Sequence, residues 1–188
     1  LLHSRPYSET SLIVDLLTRQ HGRVRCIAKG FRKTSKKGIS RAIFPYLEYS
    51  VSWYGRSELK TLTVAEANCS PVFLRRDALY TGLYVNELVY RLLQEQESSE
   101  LFYHQYRDFV SDLSASPLDQ ARLRMLEMSL LDELGYGLVL DTDAQSGEQV
   151  LEDRYYCYVP QIGLQKLSNN SDGEGLLGRH LLSLSAGD

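Results

Sequence analysis

The sequence predicts an α+β protein in which a module of short β-strands is followed by a mostly helical module. Apolar residues alternate with polar ones in several stretches of the first seventy residues, whereas from Leu74 onward they recur every three or four residues. A hydrophobic content of 43% and a charged content of 24% among 188 residues are typical of a folded protein. No apolar run approaches the roughly 20 residues that span a bilayer.

Four segments are predicted strands: "TSLIVDLLT" (10–18), "GRVRCIAKG" (22–30), "YLEYSVSWY" (46–54) and "LKTLTVAEA" (59–67). The third places Leu47, Tyr49, Val51 and Trp53 on one face at a period of two. A glycine-containing turn joins it to the fourth, as in a hairpin. Short strands joined by turns, with no helical period between them, indicate a small barrel or sandwich.

Three helices are predicted next, over residues 74–98, 99–116 and 116–137. We expect Ser116 to cap the start of the third helix and Gly135 to end it in a left-handed conformation. A short hairpin around residues 155–159 and 164–167 and a final short helix complete the chain. We place the domains at residues 1–72 and 73–188, with a hairpin insertion around 141–168.

Positive charge is gathered near the start of the chain. Nine basic residues and no acidic ones lie between Leu16 and Leu47, while the rest of the chain has twelve basic and twenty-four acidic residues. Such an asymmetry predicts a surface for a polyanion. Gly30 and Gly38 bracket the most basic part, which lies between two predicted strands and can follow a sugar–phosphate backbone. The competing interpretation is a solvated loop that only adds solubility.

Individual contacts follow from this pattern. Phe31 has no obvious packing partner in the basic segment, so we expect it to stack on a base. The predicted phosphate contacts are Arg23, Arg25, Lys29, Arg32, Lys33, Lys36, Lys37 and Arg41.

The sequence offers no support for catalysis or for a metal cofactor. It contains no phosphate-binding loop, zinc-protease or nucleophile-elbow motif, and no candidate nucleophile stands beside any of its four histidines. Cys26, Cys69 and Cys157 are odd in number and far apart, which argues against both a disulfide framework and a zinc site. We therefore expect a non-enzymatic protein of the reducing cytosol, with Cys26 and Cys157 as small strand hydrophobes.

The segment "LLHSRPYSETSLIVDLLTRQHGRVRCIAKGFRK" strongly resembles the opening of the RecO family of bacterial recombination and repair proteins. Its shared elements are Arg5, Tyr7, Glu9, Ser11, Leu12, Gly22, Arg23, Val24, Ala28, Lys29, Gly30 and Arg32. Further resemblances are "GRSELKTLTVAEA", "GLYVNELVYRLL" and "RMLEMSLLDELGYGL", so the likeness extends over residues 1–140.

The resemblance implies an N-terminal OB-fold barrel and a C-terminal helical domain. It implies binding to single- and double-stranded DNA and annealing of complementary strands. The implied partners are RecR and the acidic C-terminal tail of single-stranded DNA-binding protein (SSB), which together help RecA to load onto SSB-coated single strands. It also implies a location in the bacterial cytoplasm, at the nucleoid.

Two departures from the family pattern bear on these implications. Many relatives have a four-cysteine zinc site after the "LGYGL" segment, where this chain offers only Cys157, so we expect no zinc. Relatives often have two basic residues in the helix before that segment; here Arg124 is retained, Met125 takes the second place and Arg122 is the candidate substitute. We predict Arg122 and Arg124 as contacts for the SSB tail. The alternative function is a protein-interaction adaptor whose basic segment binds acidic partners instead of DNA.

Overall fold

The structure is a computed structural model that describes residues 1–31, 43–70, 73–95, 97–116, 119–168 and 175–187. The chain divides into two compact units, Leu1–Leu118 and Asp119–Asp188. The predicted α+β class, with a sheet before a mainly helical region, is confirmed. The predicted domain boundary at residue 72 stays a prediction.

The first unit contains strands β1 (His3–Pro6), β2 (Ser11–Thr18), β3 (Gly22–Lys29), β4 (Tyr49–Tyr54) and β5 (Lys60–Ala67). They hydrogen-bond in the order β1-β2-β3-β5-β4; the β3–β5 pair is parallel and the others are antiparallel. A five-stranded, partly open sheet is the architecture of an OB fold. Among these strands β1 and β4 form the edges and do not pair with each other, so the barrel is not closed.

The inner face of this sheet is built by alternating apolar side chains. Val14 and Leu16 of β2 stand opposite Cys26 and Val24 of β3, and all four are at most 3% exposed. Burial raises the pKa of the Cys26 thiol to about 11, which keeps it protonated. The prediction that Cys26 is a small strand hydrophobe is therefore confirmed.

Helices α1 (Asp77–Leu92) and α2 (Glu100–Ala115) belong to the same unit. The buried Asn86 of α1 connects three parts of it. Its side-chain nitrogen donates to the carbonyl of Leu2 at 3.0 Å, and its oxygen accepts from the Tyr106 hydroxyl at 2.5 Å. Both helices are thus attached to the start of the chain beside the sheet.

The second unit contains α3 (Gln120–Glu133), β6 (Tyr155–Val159), β7 (Gly163–Lys166), β8 (Leu176–Leu177) and α4 (Gly178–Ala186). Strands β6 and β7 form an antiparallel hairpin, as predicted, and β8 pairs with the other edge of β6. The buried core of the second unit consists of Leu140, Val150, Tyr156, Leu164 and Leu181.

The start of α3 differs from the prediction. Asp119 caps this helix, since its carboxylate accepts from the Ala121 amide at 3.0 Å. Ser116 instead ends α2, where its amide donates to the Asp112 carbonyl at 2.9 Å. The expected cap at Ser116 is wrong because the preceding helix continues through that turn. Gly135 has φ 78°, which confirms the left-handed stop.

A single carboxylate organises the loop before the hairpin. One oxygen of Asp143 accepts from the Gln145 amide (3.0 Å), the Ser146 amide (2.7 Å) and the Ser146 hydroxyl (2.9 Å). The other accepts from the Lys166 amide of β7 at 2.6 Å. The hydrogen bond from the Ser146 amide, together with those from the other donors, favours the charged carboxylate. The pKa of Asp143 is therefore lower than its ordinary value.

We expect Asp143→Ala to destabilise the second unit by about 2–4 kcal/mol at pH 7, because three backbone amides and one hydroxyl lose a charged acceptor. The pKa is lower in the folded than in the unfolded state, so this contribution is present above the unfolded value of about 4 and is lost as pH falls toward the folded pKa. Urea unfolding followed by circular dichroism at pH 7 and pH 3 measures both effects. Asp153→Ala, whose side chain is 77% exposed, is the control, and equal stability of the two variants at pH 7 would contradict the assignment.

Candidate nucleic-acid interface

The predicted DNA contacts fall into two groups. Arg32, Lys33, Lys36, Lys37 and Arg41 lie outside the described residues. The structure describes Arg23, Arg25 and Lys29 of β3 and the adjoining Phe31. The contacts of these four residues differ.

Lys29 is an exposed cation at the end of the sheet, and its contact with a phosphate stays a prediction. It is the last residue of β3, its side chain is exposed, and Gly30 follows with φ 80°. Lys29 stands opposite Ser11, the first residue of β2. The exposed turn between β1 and β2 therefore lies at the same end of the sheet, and it contains Tyr7, which is 58% exposed. Sequence reasoning did not select Tyr7, although a turn aromatic beside a basic segment is a usable signal.

Arg23 and Arg25 are already paired with carboxylates. Asp15, opposite Arg25 in the sheet and 1% exposed, accepts from Arg25 Nε at 2.9 Å and from Arg23 Nη1 at 3.2 Å. Glu95 lies 3.4 Å and 3.3 Å from the two guanidinium groups. Arg23 also donates to the Leu93 carbonyl at 3.0 Å. We call these four charged residues the Asp15 cluster.

The Asp15 cluster connects the outer face of β2 and β3 to the segment that follows α1. The Arg23 side chain is only 11% exposed, and its guanidinium lies 5.3 Å from the centre of the Tyr90 ring. The backbone at Gly22 also lies close to the backbone that follows α1. A Cβ at Gly22 would lie 1.9 Å from the Glu97 carbonyl oxygen. These contacts give Arg23 and Arg25 a structural role, because their guanidinium groups are engaged by carboxylates of the same unit.

The prediction for Phe31 needs a correction. The side chain is 9% exposed and packs in the core cluster of the sheet with Val14, Ala28 and Ile43. The expectation that it lacks a packing partner is wrong, because the residues at both ends of the basic segment turn back onto the sheet. A buried ring cannot stack on a base, so Phe31 is not among the DNA contacts that we propose.

Arg122 and Arg124, the predicted contacts for the SSB tail, are exposed residues of α3. Arg124 forms an ion pair with Glu127, one turn further along the same helix. Arg122 lies three residues before Met125, a spacing that places both on the same face of a helix. The contact of Arg122 and Arg124 with the SSB tail stays a prediction.

No group of three or more histidine, cysteine, aspartate or glutamate side chains in the described part of the chain could hold a metal ion. No described helix is long and apolar enough to cross a membrane.

An open five-stranded sheet of OB type, joined to helices and interrupted after β3 by a strongly basic segment, places the chain in the class of OB-containing α+β proteins. The family model for the N-terminal part of recombination protein O matches residues 1–70, and the model for its C-terminal part matches residues 74–185. The chain belongs to the RecO family of recombination and DNA repair proteins.

Individual relatives agree with this assignment. The chain is 40% identical over 186 residues to the DNA repair protein RecO of Coxiella burnetii, covering 98% of this chain and 79% of that protein. It is 39% identical to DNA repair protein RecO of Methylococcus capsulatus over 98% of this chain and 75% of that protein. The RecO of Erwinia tasmaniensis is 42% identical over 87% of this chain and 66% of its own length.

Proposed function

We propose that this chain is a non-enzymatic recombination mediator that binds single- and double-stranded DNA and anneals complementary strands. With RecR as a partner, it helps RecA to load onto single strands coated with SSB, in the bacterial cytoplasm at the nucleoid. Membership of the RecO family carries this proposal, and the gathering of nine basic residues between Leu16 and Leu47 supports it.

The DNA contact we propose comprises Lys29 and the basic residues that follow it: Arg32, Lys33, Lys36, Lys37 and Arg41. The cationic side chains of these residues release counterions from the DNA phosphates and bind without regard to sequence. The acidic remainder of the chain confines this attraction to one region, because a polyanion is repelled elsewhere.

A salt titration of single-stranded DNA binding tests the proposal. The logarithm of the binding constant is expected to fall linearly with the logarithm of salt concentration, with a slope of about −0.7 for each phosphate contact. Six contacts predict a slope near −4 by this rule, measured by anisotropy of a labelled oligonucleotide. Binding that does not depend on salt would contradict the proposed contact.

A protein-interaction adaptor is the second candidate, favoured by an apolar face on α1. Tyr80 is 71% exposed and Leu83 is 52% exposed on this helix. A competition between bare single-stranded DNA and an acidic peptide ending in Phe separates the two functions. Binding of the peptide alone would favour the adaptor, whereas displacement of the peptide by DNA or independent binding of DNA would favour the mediator.

A further inference from the structure

The segment that connects α1 to α2 is acidic and lies against the β2–β3 hairpin. Residues 92–103 contain three glutamates and no lysine or arginine. We call the three glutamates the acidic connector: Glu95, Glu97 and Glu100. Isolated β-bridges pair Glu95 with Gly22 and Arg23, where β3 begins. The backbone of this segment is therefore fixed to the sheet, beside the hairpin.

Two carboxylates of the acidic connector contact arginines of the hairpin. Arg19, in the turn between β2 and β3, donates from Nε to the Glu100 carboxylate at 2.6 Å. This hydrogen bond lowers the pKa of the Glu100 carboxyl below its ordinary value, so the carboxylate is charged at neutral pH. The Glu95 carboxylate lies 3.4 Å from Nη1 of Arg23 and 3.3 Å from Nη1 of Arg25.

These contacts divide the basic residues near the start of the chain into two groups. Nine lie between Leu16 and Leu47, and six of them are the residues of the proposed DNA contact. The other three, Arg19, Arg23 and Arg25, meet three carboxylates: Asp15, Glu95 and Glu100. Asp15 is a buried residue of the sheet itself, whereas the side chains of Glu95 and Glu100 are 21% and 55% exposed. The acidic connector thus completes the neutralisation of the hairpin.

The hairpin arginines continue the line of the proposed DNA contact. Arg23, Arg25 and Lys29 are separated by two and four residues in β3, so their side chains point to the same face of the sheet. An eight-residue strand spans about 26 Å at 3.3 Å per residue, and Arg19 lies in the turn before β3. Phosphates and carboxylates both accept paired hydrogen bonds from a guanidinium group. A DNA strand that extends from Lys29 along β3 therefore competes with the acidic connector for the same arginines.

We propose that the acidic connector is an intramolecular competitor of DNA, which confines a bound strand to the basic segment after β3. Glu100 holds Arg19, and Glu95 holds Nη1 of Arg25, so that neither arginine is available to a phosphate. Loss of the two carboxylates extends the DNA contact along β3 toward the β2–β3 turn, while Asp15 still holds the inner side of the hairpin. This inference rests on the proposed DNA binding and adds an autoinhibitory contact to it.

The double variant Glu95→Gln/Glu100→Gln of the full chain tests the competition. Its binding to a labelled oligodeoxythymidylate is measured by anisotropy at several salt concentrations. We expect binding about threefold to tenfold tighter than that of the wild type at low salt, because two arginines are released to phosphates. The salt dependence should become steeper by about 1.4 in slope, which is about 0.7 for each added contact. Glu148→Gln/Glu152→Gln, at exposed positions of the second unit, changes the net charge equally and should keep the wild-type slope.

A second comparison uses the exposed pair alone, on which the fold depends little. Arg19→Gln in the wild type should change the affinity less than about twofold, because Glu100 already holds this arginine. In the Glu100→Gln background the same substitution should reverse the gain in affinity, because Arg19 is then a phosphate contact. Equal effects of Arg19→Gln in the two backgrounds would overturn the competition.

The possible failures are distinguishable. A double variant that keeps the wild-type circular dichroism, affinity and salt slope would overturn the inference and leave the proposed DNA binding intact, and the connector would then be only a structural tie. Equal gains in the two double variants would also overturn it, since net charge would account for both. Absence of salt-dependent binding in every variant and in the wild type would overturn the inference and the proposed DNA contact together.

Discussion

Replacing Lys33, Lys36 and Lys37 together with alanine is expected to weaken the binding of single-stranded DNA about 10- to 100-fold at low salt. Each lysine lost removes one phosphate contact, so the salt dependence should become shallower by about 2 in slope for the three together. The loss should be nearly equal for all sequences, because phosphate contacts carry no base information. Anisotropy titrations of oligonucleotides of several sequences at three or more salt concentrations measure both quantities.

The matched control removes the same charge from another part of the chain. Arg154, Lys166 and Arg179 of the second unit are all exposed, and their triple alanine variant changes the net charge by the same amount. We expect this control to keep the steep salt dependence. If the two triple variants lose affinity equally, long-range net charge and not the basic segment would account for DNA binding.

Asp15→Asn is expected to cost about 3–5 kcal/mol of folding free energy, because it removes one partner from a buried ion pair and leaves the guanidinium groups without it. Asp15 is 1% exposed in the side chain, and Arg23 is 11% exposed. Of the Asp15 cluster, Glu95 would then be the one remaining carboxylate, 3.4 Å from the Arg23 guanidinium and 3.3 Å from the Arg25 guanidinium. Urea unfolding followed by Trp53 fluorescence reports on the first unit, which contains that tryptophan.

Glu100→Gln is the control for this effect. It removes one partner of the Arg19–Glu100 pair, whose side chains are 56% and 55% exposed, and should change the free energy of unfolding far less than Asp15→Asn does, because solvent screens an exposed pair. A similar loss in both variants would mean that Asp15 contributes no more than an exposed carboxylate. DNA affinity that survives in a folded Asp15→Asn protein would further support a structural role for Arg23 and Arg25.

Local patterns were sufficient for most of the secondary structure. The alternation of Val24, Cys26 and Ala28 with Arg23, Arg25 and Ile27 predicted β3, although Ile27 interrupts the polar face. The helical spacing after Leu74 predicted α1 and α2. Strand β1 was missed because all four of its residues are exposed, so it shows no alternation of burial. Its pairing with β2 depends on hydrogen bonds that composition does not reveal.

The candidate site was predictable in its charge but not in its contacts. The positive sign of the segment after β3 follows directly from counting residues, since charge does not depend on folding. The environments of Phe31 and Arg23 did not follow from counting. Both lie in the stretch between Leu16 and Leu47 that has only basic charges, yet Phe31 packs in the core and Arg23 pairs with Asp15.

By itself, the sequence determined the class of the fold, the position of most of its strands and helices and the place where positive charge is gathered. Each of these depends on neighbours in the chain, through side-chain periodicity and composition. Only the tertiary structure decided which basic side chains form ion pairs within the protein and which aromatic rings lie close together. Arg23 meets Glu95 and Trp53 lines one cavity with Tyr103 because distant segments pack together, and burial then sets the free energy of each contact.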